Sequence, residues 1–192
     1  MSEIHYLNRI FSPEDFTTSE LKTILSKFTS VQFTKNSYFL QEGIIENHYW
    51  FIEKGFARAY ATDPEGRDIT THFFTPGDIV IDWPSIFLRS PTRENIQALT
   101  DCYCWQIDYE SFQELFHSIR NFREHGRSIL VSSYFSLKKQ RVSMISDQAR
   151  ERYLNMLHEK PELIQNVSLK YIATYLGITD TSLSRIRKEI SE

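Results

Sequence analysis

Hydroxyls and cations gather near the end of this 192-residue sequence. Thr179, Thr181, Ser182, Ser184, Arg185 and Lys188 fall on the polar face of one predicted helix. Such side chains contact phosphate oxygens and base edges, and an arginine can bond guanine through two parallel hydrogen bonds, which makes Arg185 the candidate for base readout. Asp180 suits a helix N-terminus electrostatically, yet it repels phosphate unless it accepts from a cytosine amino group.

Arrangements that would support catalysis are missing from the sequence. His48 and His72 stand 24 residues apart, and there is no His-x-His, no Gly-x-Ser-x-Gly elbow, no phosphate-binding glycine loop and no His-Glu-x-x-His. Spacing places no two carboxylates together. No enzymatic activity, metal or cofactor is therefore expected. Nothing beyond the two lone histidines supports a haem, and Cys102 and Cys104 are too few for a four-thiolate iron–sulfur cluster. A Cys-x-Cys pair in a strand cannot close an ordinary disulfide, so the pair points to a reducing compartment, the cytoplasm.

The elements that must position the polar face are legible around it. Ser168 is the predicted cap of a helix through Tyr175, Gly177 breaks that helix, and Thr179 caps a second one. Ala173 is small where two steeply crossing helices need room. Ile172, Leu176, Ile178, Leu183 and Ile186 supply the aliphatic contacts that fix the angle between them. This is helix-turn-helix spacing, and the second helix is the one that would enter a major groove.

Upstream, Ser146-Asp147 is read as the cap of a helix containing Ala149, Tyr153, Met156 and Leu157, with Pro161 marking its end. A long helix from about Ile119 to Ile145 precedes it. In its second half Ile129, Leu130, Val131, Tyr134, Phe135, Leu137, Val142, Met144 and Ile145 cover about half the circumference, against roughly 100° for a helix with one buried face. A symmetric partner helix across a two-fold axis would account for the excess. Phe112, Leu115 and Phe116 predict a short amphipathic helix just before it.

Between Val31 and Asp108 the period is that of strands. Runs at 48–52, 56–62, 69–74, 79–81, 96–99 and 103–107 are rich in β-branched and aromatic residues. Gly43, Gly55, Gly66 and Gly77 recur 12, 11 and 11 apart, and Asp63-Pro64-Glu65-Gly66 is a type I turn. The stretch reads as an all-β sandwich or jelly roll. At the other end, Ser12-Pro13-Glu14-Asp15 is read as the start of a helix whose stripe is Leu21, Ile24, Leu25 and Phe28.

Composition agrees with a folded, two-part protein: 41% hydrophobic and 24% charged residues, with only 6 glycines and 6 prolines. The net charge of −3 divides unevenly: residues 1–137 carry 12 basic and 18 acidic side chains (−6), residues 138–192 carry 10 and 7 (+3). An acidic body with a basic tail suits a nucleic-acid partner for the tail. No run approaches 18 apolar residues, and Met1 to Ile10 has neither the apolar block nor the cleavage site of a signal peptide, so no membrane association is expected.

Taken in order, these pieces resemble the Crp–Fnr family of bacterial transcription regulators. The resemblance is carried by Gly43, the Ile52-Glu53-Lys54-Gly55-Phe56-Ala57-Arg58 turn, Phe73-Phe74-Thr75-Pro76-Gly77-Asp78, Ile172-Ala173-Thr174-Tyr175-Leu176-Gly177-Ile178, and Thr181-Ser182-Leu183-Ser184-Arg185-Ile186-Arg187. It implies an α+β architecture in three parts. Residues 1–118 would form a cyclic-nucleotide-binding-like β-roll, a double-stranded β-helix or jelly roll with flanking helices. Residues 119–145 would be a dimerisation helix, and residues 146–192 an all-α helix-turn-helix domain. It also implies a homodimer on a near-palindromic duplex, with Thr179, Asp180, Thr181, Ser184, Arg185 and Lys188 at the DNA, and contact with RNA polymerase. A ligand in the roll would rotate the DNA-binding domains through the long helix.

Two departures bear on function. Cyclic-nucleotide-binding members carry Phe-Gly-Glu after the Gly-Asp, and about ten residues later an Arg-Ser/Thr pair that meets the phosphate. Here the corresponding residues are Ile81-Asp82-Trp83 and Thr92-Arg93: the glycine is absent, the acid is shorter, and Arg93 falls one place late, which in a strand reverses its side chain. These five residues are the candidate effector pocket, for an unidentified small molecule, and no tight cyclic AMP or cyclic GMP binding is expected because the ligand's charge would lack its counter-ion. Second, no phosphate-gripping wing is expected after Lys188, so the salt dependence of DNA binding should be shallow, each neutralised phosphate adding about 0.9 to the log–log slope. The alternative is a β-roll effector module whose terminal helices contact protein instead of DNA.

Overall fold

The computed structural model describes residues 4–191; Met1, Glu3 and Glu192, which entered the sequence reading, lie outside them. Two short helices, α1 (Ile4–Ile10) and α2 (Thr18–Leu25), lead into β1 (Thr29–Phe33), β2 (Tyr38–Leu40), β3 (His48–Lys54), β4 (Ala57–Thr62), β5 (Asp68–Phe74) and β6 (Ile79–Val80). A helix α3 (Trp83–Leu88) separates these from β7 (Asn95–Ala98) and β8 (Cys102–Asp108). The strands form two four-stranded antiparallel sheets, ordered β1-β8-β3-β6 and β2-β7-β4-β5.

Strand β3 shows why the roll needs helices on its outside. Trp50 and Ile52 point between the sheets, among Phe39, Ile96 and Ala98. Tyr49 and Phe51, on the opposite face by strand alternation, pack outward among Phe11, Phe28, Leu115 and Phe122. Both faces are apolar, so both must be covered, and the outer cover comes from α1, α2, α4 (Tyr109–Ser118) and the start of α5 (Arg120–Ser146). Gly55, in the β3–β4 turn, has φ of 100°, and a Cβ there would lie 2.5 Å from the Asp101 carbonyl oxygen and 2.7 Å from Cys102 Sγ. Only glycine fits. Cys102 and Cys104, on the inner strand β8, are free, buried thiols; burial pushes Cys102 up to about 11 and Cys104 further.

The remaining helices are α6 (Ala149–Glu159), α7 (Pro161–Asn166), α8 (Leu169–Tyr175) and α9 (Asp180–Ser191). They build a third core around Ile172, Ala173, Leu176, Leu183 and Ile186, to which the roll contributes Phe73 and Leu99.

Several local expectations are corrected. Ser12-Pro13 opens a turn; the helix begins at Thr18, where Thr17 accepts from Glu20 N and Glu20 accepts in return from Thr17 N at 2.8 Å. That reciprocal capping box satisfies two donors, more than a lone Ser12 can. Phe28 lies beyond the helix yet in the same core. The strand region is not all-β, because Pro84 near the start of α3 removes a donor that a strand would need. The cap of α6 is Gln148, whose N–H donates to Glu151 at 2.8 Å, whereas Asp147 accepts from Ser143 and Ser146 at the end of α5. Pro161 opens α7 as well as following α6, and the Ser168 side chain makes no capping bond.

Candidate functional site

The polar face at the C-terminus is built by one tight turn. Gly177, with φ of 68°, links α8 to α9, and Ile178 N donates to Ala173 O at 3.0 Å across the corner. Ala173 is fully buried there, so a larger side chain would push the helices apart. Thr179 caps α9 by accepting from Ser182 N at 3.2 Å. Arg152, on α6, reaches across to the corner, donating to Leu176 O at 2.9 Å and to Asp147 O at 2.6 Å.

With Leu183 and Ile186 buried below, α9 turns its other side outward. Thr179, Asp180, Thr181, Ser184, Arg185 and Lys188 are all exposed on that side. Arg185 Nε lies 3.8 Å from Glu189 Oε1, one turn on; an exposed pair at that distance holds the guanidinium weakly and leaves it available to an anion. Asp180 sits in the first turn, facing the positive end of the helix dipole.

The α8 side of this unit is docked on sheet β2-β7-β4-β5. Thr70 N donates to Thr174 Oγ1 at 3.2 Å, and the two threonine hydroxyls lie 3.1 Å apart. Arg58, wholly buried, inserts its guanidinium between the rings of Tyr60 and Tyr171, at 4.0 and 3.8 Å from their centroids, and donates to Asp68 at 3.1 Å. Sequence reading used Arg58 only as part of a turn motif; an arginine on a strand carries no local sign that a helix over a hundred residues later will cover it.

The five residues assigned to an effector pocket are divided by the structure. Ile81 is buried in the outer core with Phe51 and Ile86. Trp83 packs on the same core and stacks on Phe87 at 5.8 Å. Asp82 N donates to Glu46 Oε2 at 2.7 Å, and Thr92 is buried beside the Gly43–Ile44 turn, with which it exchanges backbone hydrogen bonds at 2.9 Å. Arg93 is exposed. It lies in a bend and not in a strand as anticipated, because Glu94 N donates to Thr92 Oγ1 at 3.1 Å and turns the chain.

Sequence reasoning missed two acids. Glu46 is fully buried, its Oε1 without a hydrogen-bond partner; burial, reinforced by the Asp82 carboxylate and opposed by the Asp82 N–H, pushes its carboxyl up to about 8. Glu94 is raised for the same first reason, with Asp82 adding. The region where an anion's counter-ion would be sought thus holds three carboxyl groups. Among the described residues no group of three His, Cys, Asp or Glu side chains is placed to hold a metal, and no helix is long and apolar enough to cross a membrane.

Helix α5 changes character along its length. Phe122 is buried and stacks on Phe11, with ring centroids 5.6 Å apart. Beyond Ile129 the apolar side chains open to solvent: Val131, Tyr134, Phe135, Leu137, Val142 and Ile145 are exposed, Phe135 at 62% and Ile145 at 82%.

Residues 30–118 match the cyclic nucleotide-binding domain family. Among solved structures the chain is similar to FixK2 from Bradyrhizobium japonicum (TM-score 0.75, 17% identity, covering 85% of this chain and 84% of that one). It is similar to a protein from Eubacterium rectale described as a transcriptional regulator of the Crp/Fnr family (0.73, 16%, 95% and 88%). It is also similar to CLP from Xanthomonas campestris, described as a c-di-GMP responsive global regulator (0.70, 17%, 90% and 91%). At such identities the likeness is one of fold. No protein of curated function matches the sequence significantly.

Proposed function

We propose that the chain is a cytoplasmic, DNA-binding transcription regulator of the Crp–Fnr type. The observation that carries the reading is the division of α9 into a buried aliphatic side and an exposed side. Leu183 and Ile186 fall on the first, and all six candidate DNA-contacting residues fall on the second. A helix so held, behind a tight turn, presents hydroxyls and a guanidinium at groove height.

Two chains would join through the exposed apolar half of α5, placing their α9 helices one turn of duplex apart, about 34 Å, on a near-palindromic site. Contact with RNA polymerase follows by family analogy. Cyclic AMP is not the effector in this reading. Thr92 stands where the phosphate-binding arginine would be, Arg93 faces solvent, and Glu46, Asp82 and Glu94 put carboxyl groups, not a cation, where the ligand's charge would need one.

Selection of the purified protein against a random duplex library at near-physiological salt tests the reading. A two-fold symmetric site is expected. Arg185→Ala should then lower affinity by about 1–3 kcal/mol and relax preference at one base of each half-site, measured by fluorescence anisotropy on single-base variants of the site. Absence of salt-sensitive binding to any duplex would overturn DNA binding and favour the terminal helices as a protein-contact surface.

A further inference from the structure

The outer core contains a cavity of about 100 Å³ between the roll, α3, α4 and the first half of α5. Its walls are apolar and mostly aromatic, with Phe51, Trp83, Phe112, Phe116 and Phe122 among them. An enclosed apolar cavity of about 150 Å³ accommodates benzene; the space here is smaller, so a single ring is the most it takes, and only with its wall side chains giving way slightly.

Two features distinguish this cavity from a packing fault. His125 lines it, with Nε2 buried and without a hydrogen-bond partner. Burial keeps its imidazole below the ordinary histidine range, opposed by Asp15, so the ring is neutral near pH 7 and one of its nitrogens is an acceptor. The second feature is Gly126, inside the 27-residue helix α5, where glycine is among the least favourable residues. Its backbone does not demand glycine. A Cβ would sit 3.5 Å from Phe116 Cε2 and 3.7 Å from Phe112 Cζ, ordinary contact distances. An alanine fits, and any longer side chain would enter the cavity. The glycine keeps the space open at a cost to its own helix.

We propose that this cavity is a binding site for a phenol-class molecule: one aromatic ring with one hydroxyl, the ring held among the aromatic walls and the hydroxyl donating to the imidazole of His125. Binding rests on the cavity alone; that occupancy would bear on DNA affinity, through α5, rests on the function proposed above. The experiment therefore reads binding and not DNA.

Para-fluorophenol is titrated into the full-length protein at pH 7.5 and followed by fluorine NMR, with para-fluorotoluene as the ring without a hydroxyl. Saturable binding at one site per chain is expected, with a dissociation constant below about 1 mM. The toluene should bind several-fold more weakly, and His125→Phe should erase that preference. Gly126→Leu should weaken para-fluorophenol at least tenfold while the protein melts no earlier than its parent. If the leucine variant melts early, Gly126→Val, whose side chain also extends beyond Cβ, substitutes for it, with a several-fold loss expected. No saturable binding up to the solubility limit, or unchanged affinity in the Gly126 variant that folds, overturns the site. Equal affinity for the two probes overturns the role of His125.

Discussion

Helix α5 runs through two environments, and the same residue types behave differently in each. In its first half Phe122 is buried against Phe11 and Phe112, and Gly126 leaves room for the rings of α4. In its second half the rings of Tyr134 and Phe135 lie tilted against each other, centroids 5.9 Å apart, and otherwise face solvent. A monomer seldom leaves so continuous an apolar stripe uncovered. The first half is explained by the chain's own fold; the second calls for a surface that the chain does not supply.

Substitutions separate the halves. Phe122→Ala should cost about 3–5 kcal/mol of folding stability, read from chemical denaturation, because it removes a buried ring that the surrounding aromatics cannot replace. Phe135→Glu, thirteen positions on, should leave the stability of the folded chain within about 1 kcal/mol but weaken self-association at least tenfold, about 1.4 kcal/mol, measured by sedimentation. If Phe135→Glu instead unfolded the protein, the contrast between the halves would fail. Gly126→Ala should stabilise by about 0.5–1 kcal/mol, since the added methyl meets ordinary contacts and the helix gains propensity.

The smallest effect concerns pH and belongs to the first half alone. Burial lowers the His125 pKa in the folded chain, so the unfolded chain binds a proton more readily. His125 therefore favours folding above about pH 6.5, and that contribution is lost as pH falls below it. Glu46, raised to about 8, acts oppositely: the folded chain keeps a proton that the unfolded chain gives up, so its effect on stability worsens from about pH 4.5 up to 8. Only the difference between His125→Phe and its parent isolates the histidine. Melting temperatures at pH 7.5 and 5.5 should differ by less in the variant; an equal difference would show that His125 does not feel the core.

What could be read in advance follows the range of the interactions. The apolar stripe of α5, the Gly177 corner with its five aliphatic residues, and most strands are local patterns, and they are where periodicity and turn chemistry place them, within a residue or two. The start of α2 was misplaced because Ser12-Pro13 and Thr17–Glu20 are both respectable capping signals, and only the packing of Ile24 and Leu25 decides between them. Helix α3 was missed because Trp83, Ile86, Phe87 and Leu88 look as much like strand as helix. The backbone of the buried acid Glu46 is held by Ser85, whose Oγ donates to Ser90 O at 2.7 Å and accepts from Glu46 N at 2.9 Å across 39 residues. The cavity draws walls from Phe11 just after α1 and from β3, β6, α3, α4 and α5. No window of sequence contains such a site.

The two buried thiols on β8 give the roll a built-in clock. Only a thiolate attacks an alkylating reagent, and here each thiol is covered and held well above its ordinary pKa. A reagent can reach Cys102 or Cys104 only after the roll opens around β8, so the labelling rate reports on that opening. Compared with and without DNA or a phenol, that rate would report how firmly an event at one end of the molecule grips the other.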